Sequence, residues 1–136
     1  MILYTESMAR NYINSLPLSK KFYVCSYGFK KGFYNIPEHA KLLIGLPYLP
    51  DCTPGCPYCE QRRTQNKEQL ILALNGYNYK LSDKIHLKLL IIDDIAIVGS
   101  RNLTGSEFQD IQIVIEDYQM VKDMEEYFLY LWDNLK

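Results

Sequence analysis

Hydrophobic residues recur along the chain with two different periods, and the changes between these periods mark the predicted elements. Alternating or fully apolar runs predict strands in the first part of the chain at residues 1–4, 22–27 and 42–46. Apolar residues at helical spacing predict helices at 6–16 and at about 61–75. Pro17 closes the first of these helices and Gly76 stops the second.

The second part of the chain has four further β-like runs and ends in a long amphipathic segment. The predicted strands cover residues 77–81, 85–92, 95–100 and 111–116. Asp117 is the predicted N-cap of a last helix, in which apolar residues repeat every three or four positions up to Leu135. The order β-α-β-β-α-β-β-β-β-α predicts an α/β fold, with a mixed β-sheet flanked by helices in a single domain over residues 1–136.

One segment interrupts this regular pattern. All six prolines lie between Pro17 and Pro57, and residues 47–60 contain four of them together with three cysteines. Proline clusters favour turns over helices and strands. We therefore expect a Cys-rich loop insertion at about 47–60.

Composition excludes several classes of protein. A chain of 136 residues with 48% hydrophobic and 23% charged residues is neither disordered nor fibrous. The formal net charge of -1 argues against binding to nucleic acid or membranes through bulk positive charge. Nine basic and five acidic residues precede position 77, and six basic and eleven acidic residues follow. With no signal-like segment and no apolar run long enough to span a bilayer, we expect a cytoplasmic protein without a membrane partner.

Polar side chains with phosphate-binding chemistry cluster at the predicted 85–92 and 95–100 strands. His86 and Lys88 are two residues apart, as are Ser100 and Asn102, so each pair shares one face of an extended strand. A two-residue turn at 93–94 sets Lys88 opposite Gly99, whereas a three-residue loop at 93–95, or an equivalent bulge, sets it opposite Ser100. We predict the three-residue loop, which also sets His86 opposite Asn102. Imidazole, ammonium, hydroxyl and amide groups would then meet, a combination suited to phosphate chemistry.

These residues resemble the HKD motif of the phospholipase D superfamily, which reads H-x-K-x4-D followed by G-S-x-N. The matching positions are His86, Lys88, Asp93, Gly99, Ser100 and Asn102. Five residues rather than the usual six separate the motif aspartate from its glycine. The order of the following elements is similar to the small, single-motif endonuclease type, in which an acidic residue opens the next strand. Asp110 fits that position, with Glu107 as the alternative.

The resemblance implies a phospholipase D-like fold and a metal-independent phosphodiesterase. His86 would attack phosphorus to give a phosphohistidine, while Lys88, Ser100 and Asn102 hold the phosphate and Asp110 orients the imidazole. A second histidine would protonate the leaving oxygen, and with one motif per chain this requires a homodimer. Asp93, at the turn, is expected to be structural. No metal cofactor is implied for catalysis.

The cysteines form a separate motif that resembles, in isolation, the iron–sulfur motif of radical SAM enzymes. The chain is too short for that fold, which leaves three interpretations. The first is a structural zinc ion, with ligands drawn from Cys52, Cys56, Cys59 and either Cys25 or His39. The second is a disulfide within the loop. The third is a set of unpaired thiols, and Cys25 itself fits a small buried hydrophobic residue.

Aromatic and basic residues intermingle in the first half of the chain and point to nucleic acid as the substrate. Phe29, Phe33 and Tyr34 lie among Lys30, Lys31 and Lys41, and Arg62-Arg63 follow the cysteines. Such a surface suits the backbone and bases of DNA or RNA. Two alternatives stay open: a non-catalytic nucleic-acid-binding or assembly module with the same fold, and a zinc-dependent interaction domain.

Overall fold

The computed structural model describes residues 1–32, 34–46, 56–99 and 111–135. The strands are β1 (Ile2–Leu3), β2 (Phe22–Tyr27), β3 (Lys41–Gly45), β4 (Asn78–Ser82), β5 (Leu89–Ile92), β6 (Ile95–Gly99) and β7 (Gln112–Ile115). The helices are α1 (Glu6–Ser15), α2 (Pro57–Ala73) and α3 (Tyr118–Asn134). The order of elements is the one the hydrophobic pattern predicts.

The strands form one mixed sheet, as the sequence predicts. Within the described residues the sheet has seven strands in the order β1-β7-β6-β5-β2-β3-β4. Strands β2, β3 and β4 run parallel to one another. The remaining neighbours pair antiparallel, including β2 with β5. The α/β fold with helices against a mixed sheet is therefore confirmed.

Successive strand residues point to opposite sides of the sheet, and the apolar residues on both sides pack against helices. One face packs against Ala9 and Ile13 of α1 and Leu70 and Leu74 at the end of α2. The opposite face packs against α3, through Val121 and Phe128. Buried apolar residues on both faces explain why the central strands read as continuous hydrophobic runs. Asp117 caps α3 as predicted, its carboxylate accepting a hydrogen bond from the Met120 amide at 2.9 Å.

Part of the predicted Cys-rich loop is helical. Helix α2 begins at Pro57, within the 47–60 insertion and before the expected start at 61. Proline is well placed there, because the first turn of a helix does not need its missing N–H and its fixed φ suits that turn. Residues 47–55 lie outside the described part of the chain.

The β5–β6 hairpin corrects the predicted register. Ile92 pairs with Ile95 and Leu89 with Val98, which is the pattern of a two-residue turn at 93–94. The predicted three-residue loop at 93–95 is wrong. Asp93 makes the tighter turn feasible because it adopts a left-handed φ of 51°, which aspartate tolerates better than most residues.

No helix in the described part of the chain is both long and apolar enough to cross a membrane.

Candidate active site

His86 lies in an irregular segment rather than on a strand. The sequence predicts a strand over 85–92, but β5 begins only at Leu89, because the pairing with β2 ends at Cys25 opposite Leu89. The preceding residue, Ile85, is buried and crosses the end of β3 beside Gly45. A side chain at Gly45 would collide with the Ile85 carbonyl oxygen. The glycine thus lets the chain carry His86 across the end of the sheet.

The exposed His86 side chain rests on an aromatic ring. Its imidazole stacks on Tyr27, the last residue of β2, with ring centroids 4.7 Å apart and planes 20° from parallel. The sequence analysis did not identify Tyr27 as a site residue. An aromatic residue at the end of a strand, just before Gly28, is the only signal that could have suggested it.

Lys88 folds back over the same segment. Its ammonium Nζ donates a hydrogen bond to the carbonyl oxygen of His86 at 3.1 Å. The Lys88 side chain therefore contacts the backbone of His86, and the two residues are not neighbours on one strand face. An ammonium and an imidazole on the same short segment are groups that can hold and attack a phosphoryl group.

The remaining predicted site residues follow β6. Ser100, Asn102 and Asp110, together with the alternative Glu107, lie outside the described residues. The two ends of their segment are nevertheless fixed. Gly99 pairs with Gln112, and a side chain at Gly99 would collide with the Ile111 carbonyl oxygen.

These two ends, at Gly99 and Ile111, lie at the end of the sheet where His86 lies. Leu89 at the start of β5 pairs with Val98 near the end of β6, and Gly99 pairs with Gln112 at the start of β7. The described chain thus stops at Gly99 and resumes at Ile111 beside the start of β5. Gly99, with which the second half of the predicted motif begins, consequently lies at the same end of the sheet as His86.

Gln112 is a polar residue near this edge that the sequence analysis missed. It is only 4% exposed, and its Oε1 accepts no hydrogen bond within the described part of the structure. The flanking isoleucines, Ile111 and Ile113, are more exposed than the glutamine. This inverts the usual pattern, in which the apolar residues of a strand face the core. A buried amide oxygen without a partner is costly, so Gln112 Oε1 is a polar group available for a hydrogen bond near His86's end of the sheet.

Asp93 lies at the opposite end of β5 from His86. Its Oδ1 accepts hydrogen bonds from the backbone amides of Lys20 and Lys21, each at 2.9 Å. The Asp93 amide in turn donates to the Lys21 carbonyl oxygen at 3.0 Å. This motif aspartate anchors the hairpin to the chain entering β2, in agreement with the expected structural role.

The cysteines named as zinc ligands are only partly described. Cys25 is 1% exposed and packs on the α3 side of the sheet, and burial raises its pKa to about 12. Cys56 caps α2, a helix that packs on the other side. The structure therefore places Cys25 as a buried hydrophobic residue and does not bring it to Cys56. Cys52 and the side chain of Cys59 lie outside the described residues.

Metal binding has no candidate elsewhere in the described ranges. No group of three or more histidine, cysteine, aspartate or glutamate residues there could hold a metal ion. The zinc interpretation depends on residues beyond those ranges and stays a prediction.

The expected aromatic and basic surface is only partly present. Phe29 and Tyr34 are buried in the core rather than interleaved with lysines. Lys41 lies over the rings of Tyr23 and Trp132, at 5.8 and 5.6 Å from their centroids. Phe29, Tyr34 and Lys41 therefore contribute to packing. Lys30 and Lys31 remain exposed, while Phe33 and the side chains of Arg62 and Arg63 lie outside the described residues.

A comparison with family models gives one match. The model described as cardiolipin synthase, PLD-like domain, matches residues 49–132, which is more than half of the chain. A comparison with curated proteins finds no match.

Solved structures with a similar fold include two proteins named Nuc and NucT. Nuc from Salmonella typhimurium, a phospholipase D family member, has a TM-score of 0.65 and 13% identity, with 100% of this chain and 95% of that chain covered. NucT from Helicobacter pylori has a TM-score of 0.60 and 12% identity, with 99% and 96% covered.

A third similar structure belongs to a larger protein. TrmBL2, an archaeal chromatin protein with a novel mode of DNA binding, has a TM-score of 0.52 and 14% identity. The comparison covers all of this chain but only 52% of that protein's chain, so this chain spans about half its length. At these identities the three structures establish the fold.

Proposed function

The chain belongs to the phospholipase D superfamily, and from that membership we propose that it is a metal-independent phosphodiesterase of the nuclease type, with its active site at a homodimer interface. One observation carries the proposal. The imidazole of His86 and the ammonium of Lys88 share one segment at the end of the sheet where the segment containing Ser100 and Asn102 begins.

The proposed reaction is a double displacement at phosphorus. A ring nitrogen of His86 attacks the phosphodiester, forming a P–N bond while the P–O bond to the leaving group breaks. The leaving oxygen takes a proton from a second histidine. That histidine then removes a proton from water, whose oxygen attacks phosphorus and breaks the P–N bond.

The phosphoryl oxygens need positive charge and hydrogen-bond donors during both displacements. Lys88 supplies the charge and releases its bond to the His86 carbonyl oxygen when a phosphate arrives. Ser100 and Asn102 donate hydrogen bonds. Asp110, or Glu107 in its place, accepts a hydrogen bond from the imidazole N–H and fixes the orientation of the ring.

We propose that the second histidine comes from a second copy of the chain. The sequence contains two histidines, His39 and His86. His39 precedes the start of β3, whereas His86 lies across the end of β3, beside Gly45. The five residues of β3 separate them by roughly 13 Å at the rise of a strand. A homodimer that places two copies of His86 face to face supplies both roles.

Nucleic acid is the favoured substrate class. Two structures with this fold are named Nuc and NucT, and a third is an archaeal chromatin protein with a novel mode of DNA binding. The exposed Lys30 and Lys31 lie shortly after Tyr27, whose ring supports His86. Exposed ammonium groups near a phosphodiester-cleaving site would hold the anionic backbone.

The proposal is tested by cleavage of labelled DNA and RNA with excess EDTA present. Wild type and His39→Ala are expected to cleave at similar rates, whereas His86→Ala loses at least about 1,000-fold. Both substitutions remove an exposed imidazole, so His39→Ala controls for the change in composition. An inactive wild type, or an active His86→Ala protein, would contradict the proposal.

A second candidate function is favoured by the archaeal chromatin protein. Its likeness supports a module that binds DNA and does not cleave it. The same experiment distinguishes the two functions when binding is measured alongside cleavage. Equal binding by wild type and His86→Ala, with cleavage by neither, would establish the binding module.

A further inference from the structure

His86 belongs to a segment that the sheet does not hold by ladder hydrogen bonds. The segment follows the turn at Asp83–Lys84 and precedes the first paired residue of β5, Leu89. A nucleophile must nevertheless be held close to its productive orientation, because small displacements cost large factors in rate. The stack on Tyr27 supplies a contact of the imidazole itself, so the rigidity of Tyr27 decides how well His86 is placed.

Strand pairing and the hydrogen bonds of neighbouring residues hold Tyr27 at the end of β2. It pairs with Gly45 at the end of the β2–β3 ladder. The next residue, Gly28, donates its amide to the Gly45 carbonyl oxygen at 2.9 Å. The buried Ser26 hydroxyl donates to the Gly28 carbonyl oxygen at 2.8 Å, which fixes the turn on the other side of Tyr27.

Gly45 allows the ring and the His86 segment to meet over the sheet. A β-carbon at this position would lie 3.0 Å from Cδ2 of Tyr27, in addition to its collision with Ile85. The absent side chain therefore leaves space for the tyrosine ring on one side and for the backbone before His86 on the other. Gly45 thus lies between the Tyr27 ring and the Ile85 backbone, next to the residue that carries the imidazole.

We propose that Tyr27 is a positioning residue for the nucleophilic imidazole of His86. Its ring face fixes the plane of the imidazole, so that a ring nitrogen points to the phosphorus and not along the sheet. Offset stacking of two rings at this separation is favourable and restricts rotation of the histidine side chain. This role rests on the phosphodiesterase function proposed above and adds a residue outside the motif to the site.

The contact itself is tested by NMR of the imidazole protons, which needs no activity. Stacking on an aromatic ring shifts the His86 carbon-bound protons upfield from those of exposed His39 in the same spectrum. The shift is expected to persist in Tyr27→Phe and to disappear in Tyr27→Leu. Tyr23→Leu is the matched control, because Tyr23 lies on the same strand but stacks on Phe128, at 4.8 Å between centroids.

The positioning role is tested by the kinetics of the same variants on a labelled oligonucleotide with EDTA. Tyr27→Phe is expected to retain kcat within about twofold, and Tyr27→Leu to lose about 10- to 100-fold in kcat with KM nearly unchanged. Thermal melting identifies loss of fold. Tyr23→Leu controls for it, because this variant should lose stability while its His86 signals keep their upfield shift.

The outcomes separate this inference from the proposed function. A wild type that does not cleave refutes the function, and the His86 resonances then still decide whether Tyr27 holds the ring. An active wild type with unshifted His86 signals, or with full kcat in Tyr27→Leu, overturns the positioning role alone.

Discussion

At the scale of single residues, the side chains of the phospholipase D motif have two different roles, one in the proposed chemistry and one in holding the hairpin. His86 and Lys88 meet at one end of β5, where the chemistry is proposed to occur. Asp93 lies at the other end and binds only the backbone of Lys20 and Lys21 in the described structure. Its place in the motif is explained by the geometry of the hairpin.

Replacement of Asp93 tests this division. Asp93→Ala removes the acceptor of two amide hydrogen bonds and places alanine at a φ of 51°. We expect the free energy of unfolding to fall by about 1 to 3 kcal/mol. Asp93→Asn keeps one oxygen acceptor and tolerates this φ, so it should lose less. Denaturant titration gives the stabilities, and the cleavage rate of the folded protein should stay near wild type. A large rate loss without destabilisation would show that Asp93 acts in catalysis.

Cys25 provides a second test at the residue scale. Burial raises its pKa to about 12, so at pH 8 only about one thiol in 10,000 is ionised. We expect iodoacetamide to modify half-buried Cys56 in the native protein and to modify Cys25 only after unfolding. Peptide mass spectrometry locates the label. Rapid native labelling of Cys25 would contradict its placement beneath α3.

At the scale of elements, the sequence predicts the order of strands and helices well because burial imposes its own periodicity. The boundaries of β2 and the N-cap of α3 agree with the pattern. The start of β5 does not, because Ile85 is buried by crossing β3 and not by pairing in a ladder. A hydrophobic pattern indicates that a residue is buried, but it does not distinguish burial by strand pairing from burial by crossing another strand.

Some contacts in the candidate site are made by neighbours in the sequence, and others are made by segments that are distant in the sequence. Spacing alone brings His86 near Lys88, since they are two positions apart in the sequence. The contact with Tyr27 depends on the pairing of β2 with β3 and β5, which no local pattern encodes. The hairpin register was mispredicted for a related reason. The anchoring of Asp93 by a distant backbone segment decides the turn length.

The glycine of the G-S-x-N motif has an element-scale role that can be measured. Gly99→Ala brings a methyl group against the Ile111 carbonyl oxygen and should force β6 and β7 apart. We expect a loss of about 1 to 3 kcal/mol in stability and of at least tenfold in cleavage rate, because Ser100 follows directly. Gly76→Ala is the control. Its φ of 91° also disfavours alanine, but nothing lies within 4 Å of the added β-carbon. Equal cleavage rates in the two variants would contradict the role.

At the scale of the whole molecule, the placement of two histidines decides the proposed architecture. His39 and His86 lie at opposite ends of β3, so the proposed reaction takes one histidine, His86, from each copy of the chain. The near-neutral net charge of -1 allows two copies to approach without strong overall repulsion. A protomer is thus expected to hold half of an active site.

Subunit mixing tests this arrangement. Wild type and His86→Ala chains are unfolded together in equal amounts and refolded, so that dimers form at random. If two His86 residues share one site, about a quarter of the dimers are fully wild type, and activity falls to about a quarter of that of undiluted wild type. Independent protomers would retain about half. A retained half, or a monomer by light scattering at the assay concentration, would contradict the shared site.

The most direct measurement of the central claim is the chemical identity of the covalent intermediate. Metal-free protein is mixed with a labelled oligonucleotide, quenched within a turnover and digested under alkaline conditions that preserve phosphohistidine. We predict that the label is found on the peptide containing His86, that it remains in His39→Ala, and that it is absent in Lys88→Met, which lacks the ammonium. Cleavage by wild type with no label on His86 would contradict the account.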